Sequence, residues 1–290
     1  MDLFILWSPD CGPGLLEAAR ELEYEAVGWT VYVQEPGLLA KRPPTLPTWV
    51  PIRRPSVRRR LLDPADLATL DLVLSPPGTS PPGTSSSGTS SSGTSSSGTS
   101  SSGTSSGPLA SPPVQLRRFH AVLASPGEWT PVQAYLKKQK TKVWDLVSVC
   151  VSNEATFTHL VNLPSNVIDI IQFDVYAAGF VPRRGLLALA AAKGIYFEIC
   201  LDKALMSASM AADLFKNVLA VTRHLPRQNV LLSSGAANPL LMRAPQDLFA
   251  IAQILFDKHA RNIVYQNPSR CLHTAAARKL PGAGILLPPK

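Results

Sequence analysis

Cysteine is scarce in this 290-residue chain, and what little there is stands far apart. Cys11, Cys150, Cys200 and Cys271 form no Cys-x-x-Cys pair, so no zinc knuckle is written here. Cys150 and Cys200 lie inside the apolar runs VSVCVS and FEICL and read as buried free thiols. No apolar run approaches the roughly 20 residues that span a bilayer, and no membrane partner is expected. The opening MDLFILW has no basic residues before it and meets Ser8-Pro9-Asp10 at once, so it reads as a first strand rather than a signal peptide. No Gly-x-Gly-x-x-Gly follows any strand, which removes the dinucleotide fold. Gly-x-Ser-x-Gly occurs only at Gly103–Gly107, in a Ser/Thr/Gly stretch with no apolar strand before it, and no paired histidine motif occurs, so a serine-hydrolase elbow and a histidine-based metal shell are both missing. The aromatic pattern of sequence-specific single-strand readers is absent as well.

What the chain does have is apolar bulk and positive charge. Hydrophobic residues make up 45%, enough for one large core. Lys and Arg number 28 against 20 Asp and Glu, a formal charge of +8, which favours a polyanionic partner. One stretch stands apart: residues 76–105 are pentapeptides, PPGTS and then SSGTS, without charge or large apolar side chains. Nothing in it offsets the entropy of ordering, so a disordered insertion is expected over 36–116, with one short helix at Pro64–Leu72. The chain then divides into a first βαβ part at 1–35, the insertion, and the remainder at 117–290.

Outside the insertion, short Val- and Ile-rich runs alternate with helical spacing. Strands are expected at 3–7, 26–33, 119–124, 144–151, 167–173, 195–201 and 229–232, and an eighth only at 284–287. Helices are expected at 14–24, 130–139, after an Asn153 cap, at 183–193 ended by Gly194, and at 206–224, 245–256 and 257–265. Seven or eight βα units point to a closed TIM-like (β/α) barrel.

Barrels of this kind place chemistry at the carboxyl ends of strands. Asp10, Glu35, Asp174 and Asp202 fall there and could gather as acid/base groups or metal ligands. Acidic residues in βα loops are also ordinary helix caps or solvated groups, and no histidine stands among them. Ser233-Ser234-Gly235 can cradle a phosphate or form a tight polar turn. Basic residues are spread over several loops: Arg117 and Arg118, Arg183 and Arg184, Lys193, Arg243, Arg270 and Arg278. On a rigid barrel they can make a platform for phosphates, or simply a solvated surface. Arg243 has a ready structural partner in Asp247.

Five segments in order, KVWDLVSVCVSNEATFTHLVN, VIDIIQFD, GLLALAAAKGIYFEICLDKAL, NVLLSSGAANPLLMRAPQDLFAIAQILF and NPSRCLHTAAARK, resemble the ribonuclease P/MRP protein subunit family called p-thirty. DLFILW and LLEAARELEYEAVGWTVYV are similar to that family's first βαβ. The resemblance covers residues 1–34 and 117–280. It implies a TIM-like barrel related to the PHP phosphoesterases without their metal ligands, hence no metal, no cofactor and no catalytic residue of its own. It implies a non-catalytic, RNA-binding subunit that supports removal of the 5′ leader of precursor tRNA by a catalytic RNA. The implied partners are the ribonuclease P or MRP RNA and a Pop5-type protein subunit, in the nucleus and its nucleolus. Carried over as RNA-binding positions are Arg118, Arg184, Lys193, Arg243 and Arg270, with Ser233 and Ser234 as the family's serine pair. Arg117, Arg183 and Arg278 join them as neighbouring basic residues. Two other readings stay open: a barrel phosphoesterase using Asp10, Asp174 and Asp202, and a pure protein-interaction scaffold.

Overall fold

A computed structural model describes residues 1–6, 12–41, 43–44, 113–138, 143–163, 167–176 and 182–279. The chain divides into two units: Met1–Arg53 with Ser111–Lys290, which holds every described element, and Arg54–Ala110, which lies outside the described residues. The expected insertion, its helix at Pro64–Leu72 and the eighth strand at 284–287 lie largely or wholly outside them too.

Seven parallel strands follow one another in chain order around a sheet. They are β1 (Asp2–Leu6), β2 (Ala26–Val33), β3 (Val114–Leu123), β4 (Leu146–Val151), β5 (Ile170–Phe173), β6 (Tyr196–Cys200) and β7 (Val230–Ser233). The first helix is α1 (Gly12–Glu21). After β3 come α2 (Trp129–Lys138), α3 (Glu154–Val161), α4 (Arg184–Ala192), α5 (Ala208–Thr222), α6 (Pro245–Phe256) and α7 (Asn267–Lys279). The seam closes where the chain beyond β7 returns to β1: the Gly235 amide donates to the Phe4 carbonyl, and Ile5 bridges Ala236 in parallel. The result is a TIM-like barrel closed by seven described strands.

Each strand has two faces, as its alternation dictates. Ile5, Val27, Trp29, Phe119, Ala121, Val147, Val149, Ile171, Phe197, Ile199, Val230 and Leu232 pack outward against the helices as the main apolar core. The other face fills the lumen with apolar side chains, Phe4, Leu116, Leu146, Ile170 and Leu231, and with a buried polar set, Thr30, Arg118, His120, Ser148, Glu198 and Ser233. Gly28, between the outward-facing Val27 and Trp29, lies on the lumen face beside the register shift of β1 between Asp2 and Ile5; a Cβ on Gly28 would stand 2.3 Å from the Leu3 carbonyl oxygen.

Local rules set most helix ends. Asn153 caps α3 by accepting from the Thr156 amide at 2.8 Å. Gly194 takes a φ of 76° just beyond α4, the left-handed stop that glycine adopts freely. Three expectations are corrected. β3 starts at Val114, ahead of Phe119, because Val114 already pairs with Ala26. Residues 257–265 are no regular helix: Asp257 at a φ of 51° breaks the chain after α6, and a 3-10 turn and a π-helical turn at Asn262–Gln266 follow. Finally, α7 has no counterpart among the helices expected from periodicity. It crosses the amino-end opening of the barrel. Its Asn267 side chain donates to the carbonyls of Arg227 and Val230, Thr274 lies under Gly194, and Arg278 pairs with Asp169 ahead of β5.

Candidate nucleic-acid interface and the barrel lumen

The expected RNA-binding residues do not form one surface. Arg118 is wholly buried and spans the lumen from β3. Its guanidinium donates to both Glu198 carboxylate oxygens on β6, at 2.7 and 2.5 Å, to the Leu3 carbonyl at 3.0 Å and, through Nε, to Ser148 Oγ at 2.8 Å. Four of its five N–H groups are engaged and the side chain is wholly buried, so it presents no donor to a phosphate at the surface. Arg118 is therefore a lumen residue and not an RNA contact. Ser233 and Ser234 are corrected likewise. Both are buried; Ser233 donates to Glu198 at 2.8 Å, and the Ser234 hydroxyl and amide both donate to Asp2.

The remaining basic positions separate by end. Helices of a parallel barrel begin at the carboxyl ends of the strands and finish at the amino ends. Arg183 and Arg184 open α4 at the carboxyl end, both exposed; Arg183 pairs with Glu154 of α3 at 2.7 Å. Arg243 precedes α6, its carbonyl accepting from Tyr24 at 2.5 Å. Among the described ion pairs none joins Arg243 to Asp247.

Arg117, Lys193, Arg270 and Arg278 gather at the amino end. The Arg117 amide donates to Asp145 at 2.9 Å. Lys193 donates to the Val161 and Leu163 carbonyls at 2.6 and 2.9 Å, closing the end of α3. Arg278 is held by Asp169, so its first duty is to fasten α7. Sequence reasoning missed the fuller company at this end. Lys137 and Lys138 end α2, Arg223 caps α5, and Lys258 and Arg261 follow α6; with Arg270 these are exposed, and none takes part in a described ion pair. Cations at helix ends also complement the macrodipole. The signal was legible as a basic residue recurring at the close of successive helices.

At the carboxyl end the lumen opens on a different chemistry. Tyr32, partly exposed, stacks on the His120 ring with centroids 5.1 Å apart. Asp174 and Asp202 lie beyond β5 and β6, and Lys203 reaches within 3.9 Å of Asp174 Oδ1 and 5.1 Å of the Tyr176 ring centroid. Asp10 lies outside the described residues, and Glu35 is exposed beyond β2. No group of three or more His, Cys, Asp or Glu able to hold a metal occurs among the described residues. Burial and the nearby Arg118 push His120 well below the ordinary histidine range, so its ring is neutral. Burial likewise pushes the Cys150 thiol up to about 12, leaving it protonated.

A barrel of seven parallel strands whose lumen is bridged by an arginine–glutamate pair and whose amino end is basic defines a class: a TIM-like α/β fold. Within that class, the family model described as RNase P subunit p30 matches residues 112–280, and the chain belongs to that family. Among solved structures, a cryo-EM structure of archaeal ribonuclease P with mature tRNA contains a chain 17% identical, with 61% of this chain and 77% of that one covered at a TM-score of 0.46. The crystal structure of an uncharacterized protein is 10% identical over 51% of this chain and 43% of that one, at a TM-score of 0.32. No curated protein matches the chain.

Proposed function

We propose that this ribonuclease P subunit is a non-catalytic RNA-binding protein that supports 5′-leader removal from precursor tRNA, and that the amino end of its barrel is the RNA face. The observation that carries this reading is the set of exposed cations there that join no described ion pair: Lys137, Lys138, Arg223, Arg261 and Arg270. They project from the ends of α2 and α5, from the turn after α6 and from α7, held by a rigid barrel, as a backbone-reading surface requires. A Pop5-type partner, service in the ribonuclease P or MRP particle and a nuclear, nucleolar location accompany this reading.

The test is the salt dependence of affinity for ribonuclease P RNA. Removing Lys137, Lys138 and Arg270 together, each to alanine, should weaken binding to all RNA sequences alike and lower the log–log salt slope by about 0.7–0.9 per lost contact. Arg184→Ala, at the opposite end, serves as the comparison. An unchanged slope in the triple variant, with Arg184→Ala lowering it, would move the RNA face to the carboxyl end.

A further inference from the structure

The carboxyl-end mouth carries polar atoms that nothing among the described residues satisfies. Three are buried hydrogen-bond acceptors: His120 Nε2, Gln172 Oε1 and Asp202 Oδ1. They come from β3, from β5 and from the turn beyond β6. Gln172 sits in register with Cys150 on β4 and with Glu198 on β6, so it shares the lumen face with the Arg118–Glu198 bridge, two residues before Asp174. A buried acceptor left without a donor is costly, so three together call for an occupant that donates.

The state of His120 follows from its neighbours. Ser148 Oγ donates its only hydrogen to the Phe119 carbonyl at 3.0 Å and accepts from Arg118 Nε at 2.8 Å. His120 Nδ1, at 2.9 Å from the same oxygen, must therefore be the donor. Nδ1 carries the proton and Nε2 keeps a lone pair. Since Ser148 Oγ lies against the barrel wall, the opposite nitrogen faces the lumen. His120 itself is fully buried.

All three atoms accept, so the occupant must donate. Just beyond β5 and β6 stand two carboxylates, Asp174 and Asp202, with one ammonium, Lys203; Arg183 and Arg184 come further along, exposed at the start of α4, with Arg183 on Glu154. The Tyr32 and Tyr176 rings offer aromatic faces, and Lys203 already sits over one of them. We propose that this mouth is a binding site for a small organic amine in its ammonium form, whose N–H groups satisfy His120, Gln172 and Asp202. A phosphate is disfavoured at the same place, because it would bring only acceptors to acceptors beside two carboxylates. The site is independent of the RNA face at the other end of the barrel.

The full-length chain is titrated with 1,4-diaminobutane by calorimetry, with 1,4-butanediol and inorganic phosphate as comparisons. Saturable binding of the diamine alone is expected. Asp202→Asn should weaken it by tenfold or more, and Lys203→Met should tighten it severalfold by removing the competing cation, with melting curves confirming that both variants fold. In nitrogen NMR, His120 Nε2 should resonate as an unprotonated nitrogen and move upfield as the amine binds. Absence of diamine binding, equal binding of the diol or of phosphate, or loss of binding in Lys203→Met would each overturn the proposal.

Discussion

Arg118 shows how much one side chain can decide. Its guanidinium ties β3 to β1, β4 and β6 at once, through Leu3, Ser148 and Glu198. A buried pair of this kind gains little over well-packed apolar residues, yet stranding one partner is costly. Glu198→Gln or Arg118→Met alone should therefore lower the unfolding free energy by about 3–5 kcal/mol. The double change Arg118→Met with Glu198→Leu should cost less than the two single changes added together, giving a coupling of about 1 kcal/mol or more in urea denaturation. Strict additivity would mean that the pair contributes nothing to the lumen. Arg118 also shows what a sequence conceals: RRFHAVL places Arg118 and His120 on one face and Phe119 and Ala121 on the other, but alternation alone does not say that the polar face looks inward. The companion signal was Glu198, a lone charge between Phe197 and Ile199.

Among the elements, those with a strong local signal were legible and those that depend on distant contacts were not. α6 begins and ends as its Pro245 start and apolar spacing require, and Asn153 and Gly194 mark their helix ends directly. The seven strands were legible as apolar runs, although β3 and β5 differ in length because pairing sets where a strand stops. The basic residues were legible as a set, but their separation into two ends appears only once the barrel closes. α7 gave no signal as a plug because its role rests on Asn267 and Arg278 reaching strand starts far away in sequence. The shifted register of β1 is equally tertiary, and Gly28 is its counterpart: a side chain there would collide with the backbone of Leu3. Backbone cannot retreat as a flexible side chain can, so Gly28→Ala should cost about 1–3 kcal/mol, the range for overpacking a filled interior. Equal melting temperatures for Gly28→Ala and the parent would show that β1 yields freely.

For the molecule as a whole, closure rests on a buried carboxylate. Asp2 accepts from the Ser234 amide and hydroxyl and from the Phe4 amide, stitching the first strand to the segment beyond the last. Burial pushes its carboxyl up to about 6, against the pull of those hydrogen bonds toward the charged form. A carboxyl with a raised folded pKa binds its proton more tightly folded than unfolded. Its contribution to stability is thus complete below pH ~4, where the unfolded chain is also protonated, and is lost as pH rises through about 6. A tenfold difference in proton affinity between the two states corresponds to about 1.4 kcal/mol, so the loss is about 3 kcal/mol. Asp2→Asn removes this group's titration. The unfolding free energy of the parent minus that of Asp2→Asn, measured by urea denaturation, should therefore fall by about 3 kcal/mol between pH 4 and pH 7 and stay level above it. A difference that is constant with pH would show that Asp2 titrates alike in both states, and that the seam between β1 and β7 is held by its backbone contacts alone.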